Sequence, residues 1–309
     1  MHQISLNPLS MIIVDEALNR GIDVEIIDSK LGYFCLTKDN ISVVCHESLS
    51  ELTSSIASSI CNNKFLSSSI LRENHINTTN QLIVEDIDSA LLFLEKYKKV
   101  VLKPIDGEQG NGVIVGISSK NDLISAYTEV KSFQKLIIED YIEGIDVRFV
   151  IIDYQVIAVA SRTPPILKGD GISTINQLIE NYNKKSLLDS DGISFIPIDI
   201  GTMLSIASSN YTLESILKDN QNLQVRMNSN VHTGGTIKDI TNDISDDFKN
   251  IAIKIAKIIN IPVVGIDMMI PSLNSTEYTF IEANERPGLI NHEPYPTAEK
   301  FIDFIFKQK

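Results

Sequence analysis

A glycine-rich loop between two predicted strands constrains the fold of this chain more than any other feature. Val100 to Lys103 and Val113 to Ile117 are short apolar, β-branched runs, so each predicts a strand. Between them lie Gly107, Gly110 and Gly112, in the stretch DGEQGNG. Glycines allow positive φ and close approach of a ligand, and successive exposed N–H groups in such a loop form an anion-binding nest. The order is therefore strand, glycine loop, strand.

This order excludes two familiar phosphate-binding motifs. A P-loop requires GxxxxGK[ST], and no lysine follows these glycines. A Rossmann fingerprint requires GxGxxG at the start of a helix, whereas here GxxGxG lies between two strands. For the loop taken alone, a plain hairpin turn is the alternative. Lys103 at the end of the preceding strand and a second glycine run, His232 to Thr236, favour an anion site.

A predicted strand near the C-terminus carries side chains suited to a hard metal ion. In Thr279 to Asn284, Glu282 and Asn284 lie two residues apart and share one face of the strand, where we also expect Phe280. Asp267 lies in a second apolar strand that can pair alongside. Mg²⁺ prefers carboxylate and amide oxygens, and a carboxylate in an apolar strand is costly without a cation. Surface acids at a strand end are the alternative.

Charge and composition exclude several function classes. The 309 residues carry 27 basic and 40 acidic side chains, a net charge of −13, so we expect no nucleic-acid partner and no anionic membrane surface. No apolar run reaches the ~18 residues of a membrane-spanning helix, and Met1 to Ser10 lacks the pattern of a signal peptide. Cys35, Cys45 and Cys61 are too few for a disulfide framework, so we expect core residues and a reducing cytoplasm.

The remaining apolar periodicities predict alternating helices and strands. The length of 309 residues predicts roughly two domains. We expect residues 189–197 to be exposed or mobile, because they are polar and rich in turn formers. The predicted helices are 11–20, 48–60, 88–97, 121–131, 174–181, 245–259 and 301–306. The other predicted strands are 24–27, 33–36, 41–45, 135–139, 147–152, 156–160 and 262–269.

Several motifs in one order identify a resemblance. After the Lys-Pro pair and the glycine loop come IIEDYIEGIDVR, SRTPPILKGDG, NVHTGGT, GIDMM and IEANERPGL. Together they resemble the ATP-grasp ligases, in particular the ATP-grasp part of cyanophycin synthetases, bifunctional glutathione synthetases and N-acetylglutaminylglutamine synthetases. The resemblance implies an α+β fold with an N-terminal pre-ATP-grasp α/β domain over residues 1–75, a mobile lid subdomain over 76–160 and a C-terminal mixed α+β catalytic domain over 161–309. An ATP cleft is expected between the last two. The N-terminal domain is short, and we expect the module alone, without the second catalytic domain of those relatives.

The resemblance also implies ligands for ATP and Mg²⁺. Two magnesium ions are expected, with Mn²⁺ as a substitute, held by Asp267, Glu282 and Asn284. The stretch from Gly107 to Gly112 matches the lid over the phosphates. The other nucleotide positions are the phosphate lysines Lys64 and Lys103, the adenine hinge at Glu139, Tyr141 and Ile142, and the ribose acid Asp146. From composition alone, the hinge stretch is a simple loop.

Further residues match positions near the reacting groups. Arg148, Arg162, Arg226 and Asn230 match positions near the phosphates and the transferred acyl group. Arg286, Asn291 and His292 are less general in the superfamily and are candidates for substrate choice. The implied reaction joins a carboxylate to the amine of an amino acid or short peptide through an acyl phosphate. A small-molecule kinase, a non-catalytic ATP-binding module and an α/β domain without nucleotide are the alternatives, and a homodimer is the default assembly.

Overall fold

The computed structural model describes residues 6–106, 110–133, 135–189, 194–292 and 294–307, with only the backbone of residues 187–189. The described part contains helices and antiparallel sheets, as the predicted α+β class requires. The helices are α1 Pro8–Asn19, α2 Ser55–Asn62, α3 Lys64–Glu73, α4 Ile87–Tyr97, α5 Lys120–Val130, α6 Ile175–Asp189, α7 Ile200–Ser208, α8 Asp246–Ile259 and α9 Thr297–Ile305, with 3₁₀ turns at Val231–Thr233 and Leu289–His292.

Fifteen strands are described, and they form four sheets. The sheet orders are β1-β2-β3-β4, β13-β10-β9-β14-β15, β11-β12 and β5-β8-β6-β7. The strands are β1 Asp23–Asp28, β2 Tyr33–Lys38, β3 Ile41–His46, β4 Leu49–Ser50, β5 Gln81–Val84, β6 Val100–Pro104, β7 Ile114–Ile117, β8 Leu136–Asp140, β9 Ile145–Ile152, β10 Gln155–Thr163, β11 Ile166–Lys168, β12 Asn222–Gln224, β13 Thr236–Asp239, β14 Val263–Ile270 and β15 Thr279–Asn284.

The described residues separate into two compact units. Unit 1 comprises those within Met1–Thr78, Val147–Ser161 and Asp239–Lys309, and unit 2 comprises those within Thr79–Asp146 and Arg162–Lys238. Neither unit is continuous in sequence. The predicted domain boundaries at 75/76 and 160/161 lie within three residues of two unit boundaries, and the division into three domains stays a prediction.

Unit 1 is built on the packing of helices against sheets. Helix α1 begins at Pro8 behind the cap Asn7, whose side chain accepts a hydrogen bond from the Ser10 amide, and it buries Ile13 and Val14. These residues pack with Phe34 of β2 and Phe301 of α9 in one hydrophobic core. Helix α8 places a stripe of buried side chains toward the sheet, as its 3.6-residue periodicity predicts.

Unit 2 contains two hydrophobic cores. The first joins the antiparallel sheet β5-β8-β6-β7 to helices α4 and α5, with Leu102, Ile138 and Leu123 fully buried. The second joins helices α6 and α7 to the antiparallel pair β11-β12, around Ile179, Ile206 and further aliphatic side chains. None of the described helices is long and apolar enough to cross a membrane.

One local prediction is wrong and a second is wrong at one residue. The helix predicted over 48–60 begins only at Ser55, because Leu49–Ser50 pairs with β3 and the hydroxyl of Ser54 caps the helix by accepting from the Ala57 amide. In the segment 189–197, Phe195 is exposed as predicted, but Ile196 is fully buried, and Asn183 hydrogen-bonds both the amide and the carbonyl of Ile196. Residues 190–193 of that segment lie outside the described residues.

The sequence reading also missed β5, β11, β12, β13 and α7. Helix α7 consists of IGTMLSIAS, in which glycine, threonine and serine weaken the helical signal. It forms because Asp199 caps its first turn and its apolar side chains reach both cores of unit 2. Tertiary packing here overrides weak local propensity.

Candidate active site

A buried ion pair joins two of the predicted nucleotide residues in unit 2. The Lys103 Nζ lies 2.6 Å from the Glu139 Oε1, and each side chain is only 4% exposed. Val101 of β6 lies opposite Glu139 of β8 in the antiparallel register, so Lys103, two residues along β6, reaches Glu139 diagonally on the same face. A charged pair this deeply buried requires further hydrogen bonds to offset its desolvation.

Those hydrogen bonds come from two residues that the sequence analysis missed. Thr79 Oγ1 and Gln81 Nε2 each donate to the Glu139 Oε2 at 3.0 Å. Gln81 lies directly opposite Glu139 in the β5-β8 register. Its identification requires the pairing of strands nearly 60 residues apart, for which no local pattern exists. Glu139 is therefore held through both oxygens, with Lys103 on one side and two neutral donors on the other.

The predicted hinge follows directly after Glu139. Strand β8 ends at Asp140, and Tyr141 and Ile142 lie in the loop that leaves it. The Tyr141 amide donates to the Lys99 carbonyl at 3.0 Å, and the Lys99 ammonium lies 4.0 Å from the centroid of the Tyr141 ring. Burial raises the pKa of Tyr141, and the nearby Glu143 raises it further. The Tyr141 amide is therefore engaged within the protein.

A second ion pair in unit 2 connects the predicted ribose acid to a predicted catalytic arginine. Asp146 Oδ1 accepts from Arg162 Nη2 at 2.7 Å and from Arg162 Nε at 3.1 Å. Its other oxygen, Oδ2, accepts a short hydrogen bond from the hydroxyl of Ser229, another residue that the sequence analysis did not single out. Asp146, near the start of β9, thereby links Arg162, near the end of β10, to the loop that contains Ser229.

That loop, residues 226–235, contains Arg226 and Asn230 and contacts the end of the glycine loop. The Asn230 side chain accepts from the His232 amide at 2.9 Å and caps the 3₁₀ turn. A Cβ on Gly110 would lie 2.8 Å from Asn228 Nδ2 and 3.4 Å from the Asn230 Cβ, so a side chain at Gly110 would clash. Gly107 lies outside the described residues.

Two positions need glycine for a backbone reason as well. Gly110 has φ +75° and Gly112 has φ +69°, in the left-handed region that side chains rarely adopt. At Gly112 a Cβ would also lie 2.8 Å from the ring of Phe133. The described end of the loop is thus a tight turn packed against its surroundings.

Arg226, a predicted catalytic residue, is buried and hydrogen-bonded to other side chains of unit 2. Its side chain is 3% exposed, and Nη1 donates to Asp199 at 2.6 Å and to the Thr202 hydroxyl at 2.7 Å. The Arg226 Nε is buried without a hydrogen-bond partner. Arg226 is therefore fixed by the first turn of α7, and its assignment to catalysis stays a prediction.

The predicted metal ligands come together in unit 1. Asp267 of β14 lies opposite Glu282 of β15, and Asn284 lies two residues further along β15. Asp267 is fully buried, and Arg148 donates to both of its oxygens, Nε at 2.7 Å and Nη2 at 2.6 Å. The same Arg148 nitrogen, Nη2, lies 3.8 Å from Glu282 Oε1. Asn284 Nδ2 lies 3.5 Å from Asp267 Oδ2 and 3.4 Å from Glu282 Oε1.

The expected face of Phe280 is wrong because β15 contains a bulge. The register changes from Asp267 opposite Glu282 to Met268 opposite Phe280, which leaves Ile281 as the extra residue. Residues directly opposite each other share a face, so Phe280 faces the same way as Met268, and both are fully buried. The bulge therefore separates the apolar Phe280 from the polar pair.

The donor set fits a hard divalent cation. Carboxylate and carboxamide oxygens are ligands that Mg²⁺ accepts, and Asp267, Glu282 and Asn284 share one face. In this structure the Asn284 amide nitrogen faces both acids and Arg148 donates to both Asp267 oxygens, so a bound metal requires that the Asn284 amide turn and that Arg148 give up part of this contact. In the described part of the chain, no three His, Cys, Asp or Glu side chains form a metal-binding group. The predicted site therefore needs Asn284, a water or a substrate oxygen to complete its coordination.

The remaining predicted site residues of unit 1 lie at the start of α3 and around the 3₁₀ turn that follows β15. Lys64 is buried at the start of α3. Arg286 Nη1 lies 3.1 Å from His46 Nε2 and 3.5 Å from Glu47 Oε2, two residues that the sequence analysis did not connect to it. Asn291 and the buried His292 lie in the 3₁₀ turn Leu289–His292.

Comparison with known proteins gives a family and a fold. The family model of the RimK-like ATP-grasp domain matches residues 61–170 and 213–305. The glutathione biosynthesis bifunctional protein GshAB of Listeria welshimeri is 29% identical over 315 residues, covering 96% of this chain and 41% of that protein. The same-named protein of Pasteurella multocida is 27% identical over 301 residues, covering 92% of this chain and 40% of that protein. The chain therefore spans about two fifths of these relatives.

Solved structures agree on the fold. The bifunctional glutathione synthetase from Pasteurella multocida superimposes with a TM-score of 0.64 at 23% identity, over 98% of this chain and 43% of that chain. A D-alanine–D-alanine ligase from Bacillus anthracis gives a TM-score of 0.53 at 17% identity, over 82% of this chain and 69% of the other. These similarities confirm the predicted α+β fold of the ATP-grasp type.

Proposed function

Because the chain belongs to the RimK-like ATP-grasp family, we propose that it is an ATP-dependent carboxylate–amine ligase that forms an amide bond and releases ADP and phosphate. The observation that carries the proposal is the position of Asp267 opposite Glu282, with Asn284 on the same strand. Mg²⁺ in nucleotide sites is commonly bound through one or two carboxylates together with substrate phosphates, and these adjacent strands supply two carboxylates.

The proposed reaction has two steps. A carboxylate oxygen of the acyl donor attacks the γ-phosphorus of ATP, the bond to ADP breaks, and an acyl phosphate forms. The amine nitrogen then attacks the acyl carbon, the bond to phosphate breaks, and phosphate and a proton are released. Both steps bring anionic or electron-rich groups together, so neighbouring positive groups lower the barrier.

In unit 2, Lys103 and Arg162 supply positive charge for this reaction. Each is already fixed by a carboxylate, Lys103 by Glu139 and Arg162 by Asp146. A cation held in advance by its own side-chain partners needs little reorganisation when a phosphate arrives. The glycines around 107–112 suit a loop that covers the phosphates, because their backbone amides approach an anion closely.

In unit 1, Asp267, Glu282 and Asn284 would hold Mg²⁺. When bound, the metal neutralises phosphate charge. Arg148 orients Asp267 through two hydrogen bonds. We propose two ions, with Mn²⁺ as an acceptable substitute.

We propose an amino acid or short peptide as the amine and an acidic residue or peptide carboxylate as the acyl donor. Relatives named for glutathione biosynthesis and for D-alanine–D-alanine ligation support this class of substrate. Arg286, Asn291 and His292 are the proposed selectivity positions. The described cysteines are all free thiols, which is in keeping with a reaction in the reducing cytoplasm.

The test is phosphate release from ATP and Mg²⁺ with a panel of amino acids and dipeptides, followed by mass analysis of the product. A ligase releases phosphate only when both an acyl donor and an amine are present, whereas a kinase transfers the phosphate to one substrate. Glu282→Gln should lower kcat by about 100-fold or more. The control Glu277→Gln changes an exposed acid just before β15 and should leave kcat within about twofold.

If the wild-type chain released no phosphate with any acyl donor and amine pair of the panel, the proposal would be contradicted. Equal activity of the two glutamine variants would contradict the role of Glu282. Thermal unfolding of both variants tests whether a loss of activity results from unfolding. We expect both variants to stay folded, because the Glu282 side chain is 24% exposed and Glu277 is exposed.

A further inference from the structure

The two stretches that match the family model leave out residues 171–212 of unit 2. This segment, the 171–212 segment, contains all of α6 and all of α7. Its described residues pack within unit 2, since Ile175, Ile179 and Ile206 lie with Leu217 and further aliphatic side chains in a separate core. It therefore adds a small packed layer to the family pattern.

The segment binds the loop 226–235 through an ion pair. Asp199 Oδ1 accepts from the Thr202 amide at 3.0 Å, which caps α7, and the same oxygen accepts from Arg226 Nη1 at 2.6 Å. The Thr202 hydroxyl accepts a further bond from Arg226 at 2.7 Å. Because Arg226 is only 3% exposed, any displacement of α7 leaves a buried positive charge without its partner.

A second contact lies at the other end of the same loop. Tyr182 of α6 donates its hydroxyl to the Gly234 carbonyl at 2.9 Å. Gly234 has φ +92°, and a Cβ there would lie 2.5 Å from Ile196 of the segment, so the loop closes directly on this layer. The segment thus fixes the loop at Arg226 and at Gly234, on both sides of Asn230.

We infer that the 171–212 segment positions the loop 226–235 and thereby sets the affinity for the acyl or amine substrate; this rests on the proposed function. Asp146, the glycine loop and the acids Asp267 and Glu282 all lie in the matched stretches, which the family shares. The 171–212 segment lies outside these stretches, and elements that vary around a shared scaffold are where binding sites of different selectivity are built. Tyr182 and Asp199 are positioning residues, because they act through the loop.

Two tyrosines of unit 2 provide a matched pair of variants. Tyr182 and Tyr211 are both partly buried and both pack against the same core. Tyr182→Phe removes the hydroxyl that binds Gly234, whereas Tyr211→Phe removes the hydroxyl that accepts from Gln221 Nε2 at 2.7 Å, away from the loop. Each variant deletes one hydrogen bond, so each costs a similar amount of stability.

Hydrogen exchange tests the positioning without any substrate. The amides of Thr233, Gly234 and Gly235 are bonded inside the loop, to the carbonyls of Asn230 and Val231. Tyr182→Phe should accelerate their exchange about fivefold, since one hydrogen bond of ordinary strength changes a local equilibrium by about that factor. Tyr211→Phe should leave it unchanged.

Kinetics with the substrate pair found in the panel test the second half of the inference. Tyr182→Phe should raise KM for the acyl or amine substrate about fivefold, leave KM for ATP within about twofold and leave the thermal midpoint equal to that of Tyr211→Phe. Asp199→Asn, which keeps a capping oxygen but removes the charge facing Arg226, should act in the same direction.

Equal loop exchange in the two tyrosine variants would overturn the inference, as would faster exchange with no selective change in KM. An inactive wild-type chain would instead contradict the proposed function. Loop exchange that still differs between the two variants would then leave the positioning contact standing and remove only its link to substrate affinity.

Discussion

The buried pair of Lys103 and Glu139 makes a strong prediction, because both members are also proposed to serve the nucleotide. Their charged atoms lie 2.6 Å apart, and both side chains are 4% exposed. Lys103→Met removes the cation and leaves a buried carboxylate with only Thr79 and Gln81 as neutral donors. Loss of one partner of a buried pair costs about 3–5 kcal/mol. The two remaining donors place the expected loss near the lower end, at about 3 kcal/mol.

The double variant separates stability from function. In Lys103→Met with Glu139→Gln, no buried charge remains, and the Gln amide oxygen still accepts from Thr79. We therefore expect the double variant to recover at least about half of the stability lost by Lys103→Met, a coupling of about 1.5 kcal/mol or more. If Lys103 binds phosphate as proposed, the double variant stays inactive although it is folded.

Urea unfolding followed by far-ultraviolet circular dichroism measures these free energies, because the chain has no tryptophan for fluorescence. Phosphate release on the same samples measures activity. A loss below about 1 kcal/mol for Lys103→Met would refute the buried-pair argument, as would additive losses in the double variant. Near-normal phosphate release by the stable double variant would refute the proposed contact of Lys103 with the nucleotide.

The other predictions concern thiols and a second buried pair. Burial raises the pKa of Cys61 to about 12 and that of Cys45 well above its usual range, so both should resist iodoacetamide in the native protein and react fully in urea, as mass spectrometry will show. Folding raises the pKa of Cys61, so the contribution of this thiol to stability is complete below its ordinary pKa of 9.0 and is lost as pH rises toward 12. The thermal midpoint should therefore fall between pH 9 and pH 12, and the fall should be smaller in Cys61→Ala. Arg148→Met deprives the buried Asp267 of the two hydrogen bonds from Arg148 and of its charged partner, and should cost about 3–5 kcal/mol. Millimolar Mg²⁺ should partly restore this loss in a thermal shift assay. The exposed control Arg20→Met should cost at most about 1 kcal/mol, and an equal loss in both variants would contradict this reasoning.

Local sequence patterns predicted much of the fold. The strands on both sides of the glycine loop, the helix α8 and the shared face of Glu282 and Asn284 follow from periodicities of 3.6 and 2 residues, which depend only on neighbours in the chain. Helix α7 was missed because its stability comes from packing on both cores of unit 2. The face of Phe280 was wrong because one bulged residue reverses the alternation of a strand.

The sequence by itself determined the order of strands, glycines and acids from which the family, and hence the proposed chemistry, is inferred. Only the tertiary structure decided which polar side chains pair: Arg148 donates to Asp267 across 119 residues, and Ser229 donates to Asp146 across 83. Such partners depend on strand register and on the packing of distant segments. Burial makes an unpaired charge costly, so the fold favours the arrangement in which each buried charge has a partner. That information is absent from any local pattern, because it arises only when the chain has folded.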